Sequence, residues 1–139
     1  MSPNFTFSAL AKPARARKPV RTNDLNEFAI VYAMEYTFDM LTFKQSSEFK
    51  QWLMELRDAA GRPRVLARIR NAEQGHFGDC EPVGEGVSEM RIHSGPGYRL
   101  YFTRRGETLY FLLLGGDKSS QKRDIKRAKE MASTLTGEE

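Results

Sequence analysis

The stretch from Glu89 to Lys118 constrains the fold of this chain most strongly, because short apolar runs alternate there with strong turn signals. Residues 87–92, 98–103 and 108–114 contain the β-branched and aromatic residues that favour strands. Glycine and proline, the strongest interrupters of regular structure, separate these runs at 94–97 and 105–106. The pattern predicts two consecutive β-hairpins.

Helical periodicity lies on both sides of the hairpins. Ser46 or Ser47 can cap a first helix, whose apolar side chains recur at helical spacing between residues 49 and 56. A second apolar stripe begins after Pro63, which suits a first helical turn, and stops near Gly75. Ser119 or Ser120 can cap a third helix that reaches residue 135.

Residues 35–43 alternate in polarity and predict a first strand, whereas residues 76–86 are interpreted as a loop. The predicted order is strand, two helices, three strands and a final helix. Such an order is typical of an α+β domain with a mostly antiparallel sheet, and we expect its helices to pack on one face of that sheet.

Composition limits the class of protein. Cys80 is the single cysteine, so an intrachain disulfide framework is excluded, and the two histidines form no zinc-binding spacing. No apolar run approaches the roughly 18 residues of a membrane helix, and no secretory signal is recognisable. We therefore expect a cytoplasmic protein with no metal, no cofactor and no membrane partner.

Residues 1–33 differ from the rest of the chain, being basic, rich in proline and without apolar periodicity. We interpret them as a flexible basic extension, and residues 34–139 as the folded domain. The extension could contact nucleic acid, or it could lie upstream of a true start at Met34 or Met40.

Positive charge is concentrated in the hairpins and in the helix that follows them. The whole chain carries +4, whereas residues 89–129 carry ten bases and four acids, a net charge of +6. This asymmetry favours a surface that binds a polyanion, although a solvated basic surface would look the same.

Strand alternation predicts which side chains share a face. In the first hairpin, Met90, Ile92, Leu100 and Phe102 should pack on the helices, and the opposite face would be partly open. That open face would carry Arg91, His93, Arg99 and Tyr101. Arginines can grip phosphates, an aromatic ring can stack on bases and histidine can transfer protons.

Each of these residues also has a simpler interpretation. Arg99 could pair with Glu89 across the strands, His93 could be an ordinary surface histidine, and Tyr101 could be sheet packing. Tyr98 could belong to the core or to a site, and Asp117 and Lys118 could merely be polar residues at a helix start. The shared face is the stronger argument for a site.

No Walker A loop, dinucleotide-binding glycine motif or nucleophile elbow is present. The most economical enzyme hypothesis is a metal-free reaction on RNA, in which the 2′-hydroxyl of the substrate attacks the adjacent phosphate. The protein then needs only to position the RNA, neutralise charge and move protons.

The segment from Phe49 to Ala132 closely resembles the addiction-module killer proteins, the HigB-like branch of the RelE/ParE toxin superfamily. The resemblance rests on four motifs: Phe49-x-x-Trp52-Leu53-x-x-Leu56-Arg57-Asp58, Gly75-x-Phe77-Gly78-Asp79, the run from Pro82 to His93, and Gly95-Pro96-Gly97-Tyr98-Arg99-Leu100-Tyr101-Phe102 with Leu112 to Ser119. Residues 1–33 lie outside it.

The resemblance implies the toxin of a type II toxin–antitoxin system, with RelE-like topology and the activity of a metal-independent mRNA endoribonuclease, often acting on the ribosome. It implies catalytic roles for Arg91, His93, Arg99 and Lys118. We expect Tyr98, Tyr101, Arg91 and Lys122 to bind the RNA. Some members use a tyrosine near the C-terminus, whereas this chain has none after Tyr110. The identity of the general acid therefore stays open.

Two other functions stay open. ParE-type members of the same superfamily inhibit DNA gyrase and need no nuclease site, and a non-catalytic module could bind only RNA or an antitoxin. In the toxin hypothesis the expected partners are a small helix-turn-helix antitoxin and mRNA. The antitoxin would supply an acidic or apolar segment to cover the basic face.

Overall fold

The computed structural model of this chain describes residues 8–9 and 40–135. The strands are β1 (Ser8–Ala9), β2 (Thr42–Gln45), β3 (Cys80–Gly84), β4 (Val87–Ile92), β5 (Tyr98–Arg105) and β6 (Leu109–Asp117). The helices are α1 (Ser47–Glu55), α2 (Gly61–Glu73) and α3 (Gln121–Thr134), and a 3₁₀ turn over Lys118–Ser120 leads into α3. The predicted extension, residues 1–33, lies outside the described residues except for β1.

The strands form a single sheet in the order β1-β2-β6-β5-β4-β3. All neighbours in it are antiparallel except β2 and β6, which run parallel with Phe43 opposite Tyr110. The α+β class, the mostly antiparallel sheet and the two hairpins are thus confirmed. Of the predicted strand 35–43, residues 35–39 lie outside the described residues, and the described part becomes strand at Thr42.

The interpretation of residues 76–86 as a loop is wrong for Cys80–Gly84, which form β3 and pair with β4. Glu81 and Pro82 are exposed, and the register shifts between Pro82 and Gly84. Proline cannot donate to a sheet ladder, so it is tolerated only at an edge or a bulge. The β3 strand lies at the edge of the sheet and contains the register shift. Its residues have low strand propensity, so the sequence pattern did not reveal it.

The expectation that all helices pack on one face is also wrong. Helices α1 and α2 cover one face, where Phe49, Leu53, Val65 and Ile69 join a core that includes Leu100. Helix α3 covers the other face, and a second core forms beneath it from Val87, Tyr101, Leu113, Ala128, Met131, Ala132 and Leu135. Much of the face that was expected to be open is therefore occupied by α3.

The predicted signals at the start of α1 and the end of α2 are confirmed, whereas Ser120, at the N-cap of α3, makes no capping hydrogen bond with its side chain. Ser46 is the N-cap of α1, where its Oγ accepts a hydrogen bond from the Phe49 N–H at 3.0 Å and donates one to the Leu113 carbonyl at 2.6 Å. The α2 helix ends just before Gly75, whose φ of +89° is left-handed and suits glycine. Among the described helices, none has the length and apolar character needed to cross a membrane.

Gly115 lets α1 approach β6 closely. A Cβ atom at this position would lie 2.2 Å from Cε3 of Trp52, far inside van der Waals contact. We expect Gly115→Ala to lower the free energy of unfolding by about 1–3 kcal/mol, the usual effect of overpacking, as measured by urea denaturation. The loss should shrink in a Trp52→Leu background, and equal losses in both backgrounds would contradict the contact with Trp52.

Candidate functional site

Two of the predicted site residues, His93 and Lys118, lie at the same end of the sheet. His93 directly follows β4 and Lys118 directly follows β6, and both side chains are exposed. They flank the β4–β5 turn, and a Cβ atom at Gly97 in that turn would lie 3.5 Å from the Lys118 Cβ. Because β5 lies between β4 and β6, two strand spacings or about 10 Å separate the two backbone positions. We call this end of the sheet the candidate site.

His93 has a carboxylate partner that the sequence analysis gave no role. The Nε2 atom of His93 lies 2.6 Å from Oδ2 of Asp79, although 71% of the histidine side chain stays accessible to solvent. The hydrogen bond with His93 is the main reason why the pKa of Asp79 lies below its ordinary value. Asp79 is 14 residues from His93 in the sequence, so only the pairing of β3 with β4 brings them together.

The backbone around this pair is held by Arg68 of α2. Its guanidinium donates to the Arg91 carbonyl at 2.6 Å, to the Phe77 carbonyl at 2.7 Å and to the Asp79 carbonyl at 3.1 Å. Gly78 has a φ of +68°, and a Cβ atom there would lie 2.9 Å from the guanidinium. Arg68 therefore joins the end of β4 to the loop that carries Asp79.

Arg91 is paired with acids rather than free for a substrate. Its Nε lies 2.9 Å from Oε1 of Glu89 and its Nη2 lies 2.7 Å from Oε2 of Glu81. These two carboxylates raise the pKa of Arg91. The arginine adds less positive charge to the candidate site than the sequence predicts.

Arg99 is only 8% exposed, and Gly116, its partner across the sheet, faces Ser120 and Asp124 at the start of α3. The Nε of Arg99 has no hydrogen-bond partner among the described residues. Glu89 is fully buried nearby and accepts a hydrogen bond from Gln121 of α3 at 3.0 Å. Burial tends to raise the pKa of Glu89, but the hydrogen bonds from Arg91 and Gln121 and the charge of Arg99 together hold it below its ordinary value. The guanidinium thus helps to balance a buried carboxylate.

The two tyrosines are not where the RNA-binding hypothesis needs them. Tyr101 has no accessible surface because α3 covers it, and burial followed by the nearby charge of Glu89 raises its pKa. Tyr98 lies on the opposite face, in the core under α1 and α2, where its hydroxyl donates to Asp58 at 2.8 Å. The expectation that Tyr101 stands on an open face is wrong, and neither ring is placed to stack on a base.

The predicted RNA-binding residue Lys122 is exposed on the first turn of α3. Together with Ser119, Ser120, Arg123 and Lys126 it lines a shallow groove beside the 3₁₀ turn. Asp117 fixes that turn, since its Oδ1 accepts from the Ser119 N–H at 2.8 Å. Near the candidate site, the positive charge predicted for the hairpins and the following helix is thus presented by Lys118 and the start of α3.

The candidate site as the structure shows it consists of an exposed histidine with a carboxylate, an exposed lysine and a basic helix start. Within the two described ranges, no group of three or more His, Cys, Asp or Glu side chains is arranged to hold a metal ion. Imidazole can exchange protons near neutral pH, and the basic side chains can hold phosphates. Of the predicted residues, His93, Lys118 and Lys122 are accessible, whereas Arg99, Tyr98 and Tyr101 are buried.

Comparison with known proteins finds a relative in Haemophilus influenzae strain Rd, which carries the name "Uncharacterized protein". The two chains are 40% identical over 95 residues. The shared region spans 68% of this chain and 96% of the relative. No model of a known protein family matches the chain.

Proposed function

This chain belongs to the same family as the Haemophilus influenzae protein. Since the name of that relative states no activity, we propose the function of this chain from its candidate site. The protein is a HigB-like toxin of a type II toxin–antitoxin system in the RelE/ParE superfamily, and it cleaves mRNA without a metal ion. The observation that carries this proposal is the exposed His93 bound to Asp79, at the same end of the sheet as Lys118. A proton carrier and a phosphate-binding cation are the minimum that such cleavage requires.

In the proposed reaction the RNA backbone lies across the β4–β5 turn, between His93 and Lys118. His93 takes the proton of a 2′-hydroxyl, and Lys118 neutralises the charge that develops on the phosphate. Lys122 and the neighbouring bases of α3 bind the adjacent phosphates. The buried Arg99 supports the site from beneath α3 instead of touching the RNA, because its side chain is enclosed.

The partners of the protein would be mRNA and an antitoxin, and its location would be the cytoplasm. A basic, exposed surface at the start of α3 suits mRNA, alone or on the ribosome, and the same surface suits an acidic segment of a helix-turn-helix antitoxin. A toxin that acts on mRNA works in the cytoplasm.

The test is expression in a bacterial host, with growth followed and the 5′ ends of cellular mRNA mapped by primer extension. Wild type should arrest growth and produce new 5′ ends, and His93→Ala and Lys118→Ala should each remove both effects. Both side chains are exposed, so these substitutions should leave the fold intact. His76→Ala and Lys50→Ala are the matched controls, because they remove the same types of side chain from positions outside the proposed RNA contacts, and both variants should behave as wild type.

One observation favours a second candidate, a ParE-like inhibitor of DNA gyrase. Arg99 and Tyr101 are enclosed by α3 and Arg91 is paired with two acids, which leaves few exposed groups for nuclease chemistry. A gyrase inhibitor would arrest growth with altered plasmid supercoiling and no new mRNA ends. Arrest that survives both His93→Ala and Lys118→Ala would reject the nuclease in favour of this candidate.

A further inference from the structure

We infer that Asp79 is a positioning residue for RNA cleavage: it holds the His93 ring with Nε2 turned inward and leaves Nδ1, without a proton, to face the substrate. This inference rests on the proposed nuclease function. It adds a residue that neither the sequence pattern nor the comparison assigns. It also specifies which ring nitrogen does the chemistry.

The first support is that the backbone of Asp79 is anchored on both sides. The Asp79 carbonyl accepts hydrogen bonds from the Arg91 N–H at 2.9 Å and from Arg68 at 3.1 Å, which ties it to β4 and α2. A second contact of Arg68, with the Arg91 carbonyl, fixes the strand that ends next to His93. Arg68 therefore binds both backbone segments, the one that carries Asp79 and the one that leads to His93.

The second support is that the pair is too exposed to serve mainly as a stabilising ion pair. The side chains of His93 and Asp79 are 71% and 41% exposed, and ion pairs in such positions contribute little to stability. A contact of 2.6 Å at so open a place instead restricts the orientation of the ring. Restricting a ring that is otherwise free to rotate is useful when one nitrogen must face a reacting group.

The third support is the chemistry of the two ring nitrogens. An ionised carboxylate can only accept, so the Nε2 bound to Asp79 is the nitrogen that carries the proton. In the neutral ring Nδ1 is then an acceptor, which is the state that a general base needs. The ring makes no other hydrogen bond with the described residues, so Nδ1 is open to a ligand in that part of the structure.

The step that follows is a transesterification. The proton of the 2′-hydroxyl passes to Nδ1, the 2′ oxygen forms a bond to phosphorus, and the bond from phosphorus to the 5′ oxygen breaks. The departing 5′ oxygen takes a proton from water. The products are a 2′,3′-cyclic phosphate and a 5′-hydroxyl end, and His93 then returns its proton to solvent.

The ring itself gives a first test, because the chain contains only two histidines. Long-range ¹H–¹⁵N NMR spectra of the full chain, recorded where the rings are neutral, report which nitrogen carries the proton, and His76→Ala assigns the signals. We expect wild-type His93 to carry its proton on Nε2. In Asp79→Asn the amide can donate to Nε2, so the proton should move to Nδ1. An unchanged tautomer in Asp79→Asn would overturn the inference.

Cleavage gives the second test, measured on a reporter mRNA in a bacterial cell-free translation reaction that supplies ribosomes. Asp79→Asn is expected to lower kcat by about 10²-fold with little change in KM, because the base is misoriented while the binding surface is intact. Asp79→Ala frees the ring without imposing the wrong tautomer and should lose less. Glu107→Gln removes the same charge from the exposed turn at the other end of the sheet and should leave both constants unchanged.

The outcomes separate this inference from the proposed function. If wild type cleaves, His93→Ala does not, and Asp79→Asn cleaves as wild type, the positioning role is rejected and the nuclease stands. A loss in Asp79→Ala as large as that in Asp79→Asn would point to a merely structural role and also reject it. If wild type produces no cleavage in the translation reaction, the nuclease fails and this inference fails with it.

Discussion

Glu89→Ala is expected to lower the free energy of unfolding by about 3–5 kcal/mol, the usual effect of removing one partner from a buried ion pair. Glu89 has no accessible surface, and it receives hydrogen bonds from Arg91 at 2.9 Å and from Gln121 at 3.0 Å. Its loss would leave Arg99 beneath α3 without the charge that balances it. Urea denaturation at neutral pH measures the effect.

The stabilisation that Glu89 provides should also depend on pH. The pKa of Glu89 in the folded protein lies below its ordinary value of 4.5, so folding favours the charged carboxylate. The stabilisation is fully present above pH 4.5 and is lost as the pH falls through the folded-state pKa. The difference in the free energy of unfolding between wild type and Glu89→Ala should therefore become smaller as the pH falls below 4.5.

Glu81→Gln is the matched control for this prediction, because Glu81 binds the same arginine from an exposed position. Exposed pairs are worth about 0–1 kcal/mol, so this variant should lose little stability. If the difference in the free energy of unfolding between wild type and Glu89→Ala stays constant with pH, lost packing rather than lost charge explains the effect.

Phe43→Ala should lower the free energy of unfolding by about 3–5 kcal/mol, as expected for truncation of a buried aromatic ring. The Phe43 ring has no accessible surface and stacks on Tyr110 of β6 with centroids 4.8 Å apart. Its centroid also lies 6.0 Å from that of Phe77 and 6.3 Å from that of Phe102, so the cavity would open among three rings in all. Those rings are held by different elements and cannot easily collapse into the space.

Thermal and urea denaturation measure this loss, and Met54→Ala is its control. Met54 is 69% exposed on α1 and should change stability by no more than about 0.5 kcal/mol. Phe43 is the residue of β2 that packs most deeply against the β6 side of the core. A small loss for Phe43→Ala would therefore mean that β2 does not pack beside β6 as the structure shows.

Local patterns were enough to predict the helices and the hairpins, since capping, periodicity and turn residues act over a few positions. Ser46 precedes the start of α1 and Gly75 follows the end of α2, as expected. The glycines of the β4–β5 turn also lie where they were predicted. The β3 strand was missed because Glu81 and Pro82 lack strand propensity, and its pairing with β4 is decided by tertiary structure.

The candidate site was harder to predict than the fold, for a related reason. Alternation showed that Arg99 and Tyr101 share a face, but it could not show that α3 would cover that face. Asp79 carried no local signal as a partner for His93, because a hydrogen bond between distant residues exists only once the sheet has formed. The end of β4 before His93 was predicted at Ile92, whereas β6 continues three residues beyond the predicted end at Leu114 and so reaches Lys118.

The parallel pairing of β2 with β6 has a consequence for synthesis of the chain. Ser46, next to β2, bonds to Leu113 of β6, and 67 positions separate the two residues. A ribosome must therefore translate almost the whole domain before β2 can pair with β6, and the loop closure this requires is a slow, non-local event. The lysine that follows β6 emerges at the same late stage, so nascent fragments that stop before β6 lack both the strand that joins β2 to β5 and the Lys118 side of the candidate site. The proposed activity therefore requires that the last strand and α3 have left the exit tunnel.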